Sequence, residues 1–478
     1  MADTHFNPES LRERFVMPAR IRNISFGLIG IGLVFLVMGY FLADGNTEAS
    51  HHEGEHTTEE HAALTTPDVS NIHQIADEDL LDEAHGDHHH EPGMPLHEIG
   101  LKQRVLGNFL LCGMYFFLFG TGAFFFLIIH KIGNAGWHVA LHRIAEAVTM
   151  YLPIGAIVFA VLLFFLPDLY DWAYVEATGT PDKLIELKAG WLNTAFFIGR
   201  TVVFVGAWIL VAMLIRRWSI AQDDDPSNAL SYFKKQGVAA SIGLVFFAVS
   251  FCLFTVDWIK SLEPHWFSTI FGVLQFGRSM VSTMVVLYFI TAYLKSLGYL
   301  KAVSNSHFHD IGGYTFGFTI FWSYIWLAQY LLIWYSNIPE EGFYYVKRYR
   351  VEDSMYLGGN FNFFFYGNII LNFLVPFLAL VAPIVKRNIR YYLPVGILLL
   401  YGHWHDLYQQ IMPGAVGRSW DIGLLELGMW MTFAGIFIFT VFTSLTKANL
   451  FALNHPYMEE SAHHNTGEIY REFDVAEA

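Results

Sequence analysis

The chain has 478 residues, of which 54% are hydrophobic and 17% aromatic, while only 15% are charged. Soluble domains carry about 25% charged residues, so this composition is typical of a polytopic membrane protein. The formal net charge of −15 implies no nucleic-acid partner. The only two cysteines, Cys112 and Cys252, cannot supply a disulfide framework, an iron–sulfur ligand set or a covalent haem attachment.

Ten apolar runs approach the ~20 residues that a helix needs to cross a bilayer core. We expect all of them to be helices, because lipid offers the backbone no hydrogen-bond partner of its own. The predicted spans are 24–43, 106–129, 145–166, 194–215, 238–255, 270–294, 314–335, 364–385, 391–411 and 424–446.

The distribution of basic residues indicates the orientation of these spans. Most of them share the side of the N-terminus, which is therefore predicted to be cytoplasmic together with the C-terminus. The KRYR run at 347–350 is a local contradiction, since the span order places it outside. The predicted divisions are a cytoplasmic segment 1–23, a first span 24–43, a periplasmic loop 44–104, a transmembrane core 105–446 and a cytoplasmic tail 447–478.

The periplasmic loop 44–104 is rich in histidine and acidic residues. Clustered imidazoles can bind transition metals. We favour a solvated loop, or one that docks a partner, because such runs lack fixed ligand spacing and a rigid surrounding hydrogen-bond shell. A long loop without periodicity is typical of a segment that is partly disordered or held by another protein.

The stretch DWIKSLEPHWFSTIFG at 257–272 lies where the fifth span ends and the sixth begins. It brings Asp257, Lys260 and Glu263 to the edge of the hydrocarbon, where charge is costly and by default marks a functional site. The alternative is an ordinary interfacial turn anchored by its tryptophans.

Two arginines, Arg200 and Arg278, fall inside the fourth and sixth spans at similar predicted depth, towards the outer side. Buried arginines need counter-charges, and Asp257, Asp406 and Glu426 are the predicted partners. A salt-bridge network that only holds the helices together would produce the same pattern.

His403 and Asp406 are three residues apart in the ninth span and share a helix face. A histidine bound to a carboxylate can exchange protons near neutral pH. His403 is the one convincing intramembrane histidine, and a b-type haem needs two that face each other. We therefore expect no redox metal on this chain, so any electrons must leave to a cofactor of another subunit.

A second polar layer is predicted on the inner side. His142 and Glu146 open the third span four residues apart, Asp310 precedes the seventh, and Tyr324 and Gln329 lie inside it. Such residues can form pieces of a proton path. Each alone is more often a helix cap or an interface group; Asp310, for example, is a plausible N-cap.

Two long blocks carry a resemblance, namely 257–272 and FTIFWSYIWLAQYLLIWYSNIPEE at 318–341, and the short turn KRNIR at 386–390 adds weaker support. They resemble the membrane quinol-binding subunits of bacterial alternative complex III, a quinol:electron acceptor oxidoreductase. Those subunits belong to the polysulfide-reductase membrane-subunit (NrfD-like) superfamily. The resemblance covers most of the chain from about residue 100 and leaves out the histidine-rich loop.

The resemblance implies two four-helix bundles, spans two to five and six to nine, flanked by spans one and ten. It implies a bacterial inner membrane and a complex with a paralogous membrane subunit, an iron–sulfur subunit and periplasmic c-type cytochromes. Menaquinol is then the possible ligand, while haem c and iron–sulfur clusters belong to the partners. The family's quinol-contacting histidine has no counterpart in spans three or four, where Arg200 stands instead. The chain looks more like the second subunit, for which proton movement or architecture has been proposed.

The first functional hypothesis is a quinone-site module. Asp257, with Glu426 or the His403–Asp406 pair, would accept quinol protons. In the same hypothesis Arg200 and Arg278 would balance charge, and Trp258 and Trp266 would line the apolar pocket. The alternatives are a proton-moving subunit, a scaffold for cytochromes and, more remotely, an ion-coupled transporter.

Overall fold

The computed structural model describes residues 11–54, 100–338, 341–342, 344–345, 348, 361–417 and 422–466, with only the backbone of 43–54 and 361–364. Within these residues there is no β-strand, only an isolated bridge between Arg14 and Asn449. The helices are α1 (Ala19–Gly54), α2 (Leu101–Ile132), α3 (His142–Thr149), α4 (Leu152–Leu162), α5 (Asp171–Thr178), α6 (Lys183–Lys188), α7 (Thr194–Asp224), α8 (Ala229–Trp258), α9 (Phe271–Ser296), α10 (Asn305–Ser336), α11 (Phe361–Ile369), α12 (Val375–Val381), α13 (Pro383–Arg387), α14 (Ile389–Val416), α15 (Leu424–Leu445) and α16 (Met458–Ala462).

Eight helical segments in the described part are long and apolar enough to cross a membrane, so the chain is an all-α, multi-pass membrane protein. They are Ala19–Leu42, Leu101–Ile132, Trp137–Asp168, Thr194–Asp224, Pro226–Leu262, Phe271–Ser296, Asn305–Ser336 and Leu424–Leu445. The predicted span 364–385 corresponds to a shorter apolar helix, Phe365–Val381. The predicted span 391–411 falls on α14, where the run from His403 to Asp406 lowers the apolarity.

Two departures from the predicted boundaries have local causes. Helix α1 continues to Gly54, past the predicted end of the first span, since no proline interrupts it. The third predicted span is broken between α3 and α4, where Pro153 in the first turn of α4 has no N–H to donate to the preceding turn. The rest of the predicted loop, 55–99, lies outside the described residues.

Contacts between helix termini define two ends of the bundle. We call one the linker end, since it carries the linker 259–270 between α8 and α9. There Lys102 Nζ lies 2.6 Å from Asp168 Oδ1, joining the start of α2 to the segment that follows α4. We call the other the tail end, because the C-terminal segment 447–466 covers it. There Arg216 Nη2 of α7 donates to the carbonyl of Ser444 of α15 at 2.7 Å.

Helices α2 and α9 form the centre of the bundle. In the most apolar stretch of each helix, 89% of the residues of α2 and 83% of those of α9 are buried, against 17% of those of α1. Close contact between them depends on small residues, as is usual between membrane helices. A Cβ atom on Gly122 would lie 2.2 Å from Thr283 Oγ1 and 2.8 Å from the carbonyl oxygen of Ser279.

Helix α1 lies at the periphery and packs along α15. A Cβ on Gly428 would lie 2.5 Å from the backbone nitrogen of Leu36 and 2.6 Å from the carbonyl oxygen of Gly32. Glycine therefore allows these two backbones to touch, and a larger residue there would push α1 away.

The tail end is covered by the segment that precedes α1 and by the C-terminal segment. Residues 450–453 are buried, and the backbone N–H of Leu450 donates to the carbonyl of Glu13 at 2.8 Å. The ring of Phe15 packs between those of Tyr299 and Phe442, at centroid distances of 5.5 and 5.8 Å. The polar side chains under this cover are therefore shielded from solvent.

Candidate functional site

Asp257, at the end of α8, pairs with Arg200 of α7 at the linker end. Arg200 Nε lies 2.8 Å from Asp257 Oδ2, and Nη2 lies 3.0 Å from Oδ1. The indole N–H of Trp191 also donates to Oδ1 at 2.9 Å, and the guanidinium lies 4.1 and 4.2 Å from the centres of the Trp191 and Phe196 rings. Both oxygens of Asp257 are thus engaged, which is the arrangement of a structural ion pair.

Arg278 of α9 pairs with Asp406 of α14, and both side chains are at most 1% exposed. Arg278 Nη2 donates to Asp406 Oδ2, and Nη1 donates to Gln275 Oε1. The amide of Gln410 donates to Asp406 Oδ2 at 3.2 Å and accepts from Gln275 at 2.6 Å. The sequence predicts a counter-charge for both intramembrane arginines, and each lies against an aspartate.

A neighbouring group of amides completes the surroundings of Asp406. Asn368 donates to Asp406 Oδ1 at 3.0 Å and to Gln409 Oε1 at 2.8 Å. Asn372 donates to Asn368 Oδ1 at 3.2 Å and to the carbonyl of Gly402 at 2.9 Å. Sequence reasoning missed both asparagines, because they stand singly in an apolar run with no neighbouring polar signal.

His403 does not form the predicted hydrogen bond to Asp406. Its ring is fully buried and meets Trp322 edge to face at 5.2 Å, and neither nitrogen has a hydrogen-bond partner among the described residues. His405, two residues on, instead reaches Asn368 Oδ1 through Nδ1 at 3.2 Å. His403 is therefore held by ring packing.

Glu426 pairs with neither Arg200 nor Arg278. Its oxygens lie 2.8 and 3.0 Å from Nε and Nη2 of Arg104, and it accepts the backbone N–H of Gly423 at 2.8 Å. The predicted association of Glu426 with Asp257 is thus replaced by a cap of α15 tied to α2, which is a structural role.

Glu263 of the linker forms a further ion pair, which lies outside the spans. Arg348 Nη2 donates to Glu263 Oε2 at 2.6 Å, and its guanidinium lies 3.5 Å from the ring of Tyr344. Tyr344 in turn stacks on Trp266 at 3.7 Å. Burial lowers the pKa of Arg348, but the Glu263 carboxylate and the tyrosines outweigh it, so the pKa is raised. The remaining residues of the KRYR run lie outside the described part.

The two predicted pocket tryptophans differ in their surroundings. Trp258 is fully buried among aromatic rings and donates to Thr201 Oγ1 at 3.1 Å. Trp266 is 4% exposed and does not itself line a cavity, but it stacks on Tyr344, which lines a small one. That cavity has about 20 Å³ of water-accessible space. Its polar lining includes Gln329, Tyr345, Arg348, Asp406, Gln409 and Gln410.

Gln329 thus belongs to the linker end, where it accepts from Ser268 at 3.1 Å and donates to the hydroxyl of Tyr345 at 3.2 Å. Tyr324 is 67% exposed on α10 and belongs to neither buried group. Of the two residues predicted inside the seventh span, only Gln329 therefore lies in a buried polar group, and that group is at the linker end.

His142 and Glu146 meet at the tail end, as their spacing predicts. His142 Nε2 lies 3.0 Å from Glu146 Oε1, although the geometry is not that of an aligned hydrogen bond. The other oxygen of Glu146 accepts from Arg143 at 3.0 Å, and Arg143 bridges to Asp223 at 2.5 Å. All of these side chains are nearly inaccessible to solvent, so Glu146 is a buried carboxylate beside an imidazole.

Three more imidazoles form a row with His142, in the order His130, His138, His142 and His455. The ring of His138 lies 5.6 Å away, that of His455 lies 6.0 Å away, and His130 lies 5.0 Å beyond His138. We call His130, His138, His142 and His455 the imidazole cluster. All four rings are at most 5% exposed.

Two rings of the imidazole cluster have a defined tautomer. Nδ1 of His130 lies 2.8 Å from the carbonyl of Phe126, and Nδ1 of His138 lies 2.5 Å from the carbonyl of Ala135. A carbonyl accepts only, so Nδ1 carries the proton in each ring and a neutral ring has a bare Nε2. Both Nε2 atoms are buried and have no hydrogen-bond partner among the described residues.

His455 reaches the cluster from the C-terminal segment. Its Nε2 lies 3.2 Å from Nζ of Lys131 on α2. Burial, together with the charges of Lys131 and His142, holds the pKa of His455 well below its ordinary value. The sequence offers a weak signal for His130 and His138, which precede His142, but none for His455, more than 300 residues later.

Asp310 lies on a separate side of the tail end. Its oxygens are 3.1 Å from His309 Nδ1 and 2.6 Å from His464 Nε2. The prediction that Asp310 caps α10 is wrong, because the helix begins at Asn305 and Ser304 is its N-cap. The ring of His464 lies 6.2 Å from Trp137, which brings Asp310 to the edge of the imidazole cluster.

Buried hydroxyls lie between the two ends along α2 and α9. Thr121 and Ser279 approach each other at 3.3 Å, and Thr283 donates to the carbonyl of Phe119 at 3.2 Å. The hydroxyls of Ser282 and Tyr151 are buried with no hydrogen-bond partner in the described part. The described hydrogen bonds do not join these hydroxyls to either end, so a continuous proton path would require water.

Within the described residues, no group of three or more histidine, cysteine, aspartate and glutamate side chains is arranged to hold a metal ion. The predicted histidine-rich loop, apart from residues 44–54 and 100–104, lies outside those residues. No protein-family model matches the chain, and no curated protein matches it significantly.

Proposed function

We propose that this chain is a proton-transferring membrane subunit of a respiratory quinol:electron acceptor oxidoreductase of the alternative complex III type. The observation that carries proton transfer is the imidazole cluster, in which His130 and His138 present bare ring nitrogens and His142 lies against the buried carboxylate of Glu146. The sequence blocks at 257–272 and 318–341 carry the assignment to this class of complex.

In this proposal the chain crosses a bacterial inner membrane ten times, with the apolar helix Phe365–Val381 and α14 completing the count. Spans two to five and six to nine form two four-helix bundles, and spans one and ten flank them. The central position of α2 and α9 supports this division, since they open the two bundles, as does the packing of α1 on α15. The tail end faces the cytoplasm and the linker end faces the periplasm.

The chemistry of the tail end suits proton uptake. A neutral imidazole with a bare nitrogen can take up a proton on one side of the ring and release one from the other side. Glu146 gives the resulting cation a counter-charge, which a proton inside a membrane protein needs. The row from His130 to His455 spaces such acceptors at 5–6 Å, a gap that one water or a ring rotation can bridge.

The cavity beside Asp406 suits a single water molecule better than a quinone. A cavity needs roughly 10–15 Å³ to hold one water, so the 20 Å³ beside Asp406 admits about one. A bound organic ligand takes several hundred Å³. The cavity would therefore hold a water between Asp406 and the side chains of Gln329 and Tyr345.

The quinol itself would bind to a paralogous membrane subunit. Electrons would pass to iron–sulfur clusters of an adjoining subunit and to haem c of periplasmic cytochromes, while this chain holds no cofactor. Lipids and these subunits are then its partners.

The test is quinol oxidation by the purified complex with Glu146→Gln in this chain. We expect coupled turnover in sealed vesicles to fall at least tenfold, within the range for loss of a positioned acid–base group, while haem content and assembly hold. The matched control is His265→Gln, a histidine whose side chain is 54% exposed at the linker end. Normal coupled turnover of Glu146→Gln would contradict proton transfer here and leave a scaffold.

The quinone-site module stays a second prediction, supported by the resemblance. Because Arg200 would be left buried and unpaired by Asp257→Asn alone, the clean variant replaces both, as Arg200→Gln with Asp257→Asn. A quinone site predicts lost quinol turnover with assembly intact. Normal turnover rejects the site at Asp257.

A further inference from the structure

A wide groove runs between α7 and α8 at the tail end, on the outer surface of the bundle. Its volume is about 800 Å³, within the range of ligand sites in proteins. The mouth carries Lys234, Lys235 and Ser231, and Trp218 stands on the opposite wall. None of these residues belongs to the imidazole cluster or to the ion pairs of the linker end.

The mouth of the groove is positively charged in an acidic chain. Ser231 precedes Lys234 and Lys235 by three and four residues, so the three side chains share one side of α8. No described carboxylate lies within 4.0 Å of either ammonium group. The nearby Asp223 is bound to Arg143, and Asp225 accepts from Asn228 in the turn before α8. The two lysines therefore have no counter-ion from the described part of the chain.

The floor of the groove is apolar and continues beyond it along α8. Val238, Ile242, Val245 and Val249 are 62%, 65%, 73% and 63% exposed, and they recur at helical spacing. At 1.5 Å per residue this stripe extends roughly 17 Å, about half the thickness of a bilayer core. A hydrocarbon chain lying on it would reach the middle of the membrane.

We propose that this groove is a binding site for an acidic phospholipid. The phosphate would lie against Lys234, Lys235 and the hydroxyl of Ser231, and an acyl chain would follow the stripe that begins at Val238. Basic pockets between membrane helices recognise acidic headgroups in this way. In this arrangement Trp218 would lie at headgroup level, where tryptophan is favoured. The inference does not depend on which reaction the complex performs.

The test measures lipid binding to the purified complex by native mass spectrometry. Cardiolipin is titrated against phosphatidylcholine, with the wild-type chain and with Lys234→Gln/Lys235→Gln. Each basic residue near an acidic headgroup contributes about 1 kcal/mol, so we expect the double variant to lose cardiolipin affinity about thirty-fold. Phosphatidylcholine should bind weakly to both.

The matched control is Lys301→Gln/Lys447→Gln, which removes the same charge from exposed positions at the tail end outside the groove. It should retain wild-type cardiolipin affinity. A second variant, Ile242→Trp, fills the apolar floor and should weaken binding with the lysines intact. Equal loss in the control, unchanged binding in the groove double variant, or protection of Lys234 and Lys235 from amine labelling by another protein subunit would each overturn the proposal.

Discussion

The two ends of the bundle bury charge in different ways. At the linker end, arginines lie against carboxylates in fixed pairs, as in Arg200–Asp257 and Arg278–Asp406. The tail end also holds one such group, in which Arg143 lies between Glu146 and Asp223. Beside it, however, imidazoles lie in a row, and the Nε2 atoms of His130 and His138 have no described hydrogen-bond partner. An arginine keeps its proton at any physiological pH, whereas an imidazole can both gain and lose one.

This difference separates residues that hold the structure from residues that can do chemistry. A buried arginine–carboxylate pair with further hydrogen bonds is costly to break but inert once formed. A buried nitrogen without a partner contributes nothing to stability, so its retention calls for another explanation. We therefore expect the largest stability effects at the linker end and the largest functional effects at the imidazole cluster of the tail end.

Breaking the Arg278–Asp406 pair should produce the largest effect on stability. Arg278→Leu leaves Asp406 as a buried charge without its cation, and such losses cost about 3–5 kcal/mol. The thermal unfolding midpoint of the purified protein in detergent should fall sharply.

The matched control replaces both partners, as Arg278→Leu with Asp406→Leu. Removing both charges should restore much of the lost stability, because no unpaired ion remains. If the single variant unfolds at the wild-type temperature, the pair does not stabilise the bundle.

Insertion of a side chain at Gly428 should detach α1. Gly428→Leu places atoms where Leu36 and Gly32 now touch the glycine, so α1 can no longer pack along α15. Disulfide trapping between cysteines on the two helices should lose its yield, while Gly30→Leu, where a Cβ meets nothing within 4 Å, should keep it. Equal yields would show that the close approach is dispensable.

Several of these features follow from the sequence and others do not. The buried arginines and their aspartates were predictable, because a charge inside an apolar run needs a partner. The partner of Glu426 was not predictable, since Arg104 stands just before the apolar run 106–129 and looks like an ordinary interfacial cation. Sequence reasoning also missed His455, because only the fold of the C-terminal segment brings it to α2 and α3.

Substitution of His403 should have a smaller effect, and it tests the same difference between the two ends. It lies at the linker end but has unpartnered nitrogens like the tail-end histidines. If it serves packing against Trp322, His403→Phe should change the free energy of unfolding by less than about 1 kcal/mol and leave coupled turnover intact. A loss of turnover with unchanged stability would instead place His403 on the proton path.

The smallest expected effect is on docking of the C-terminal segment. Since the pKa of docked His455 is lowered, the undocked segment binds more protons as pH falls below about 6.5. Docking should therefore be complete above that pH and weaken below it. Proteolysis of the segment at pH 7.5 and 5.5, corrected for protease activity, should show this, and His455→Asn should abolish the pH dependence.

The most direct measurement is the number of protons moved per electron by the complex in sealed vesicles, comparing His138→Gln/His142→Gln with the wild type. Proton transfer through the imidazole cluster predicts that electron flow under uncoupled conditions continues while the proton-to-electron ratio falls towards that of quinol oxidation alone. An unchanged ratio in the double variant, with the substitutions verified in the assembled complex, would contradict a role for the imidazole cluster in moving protons.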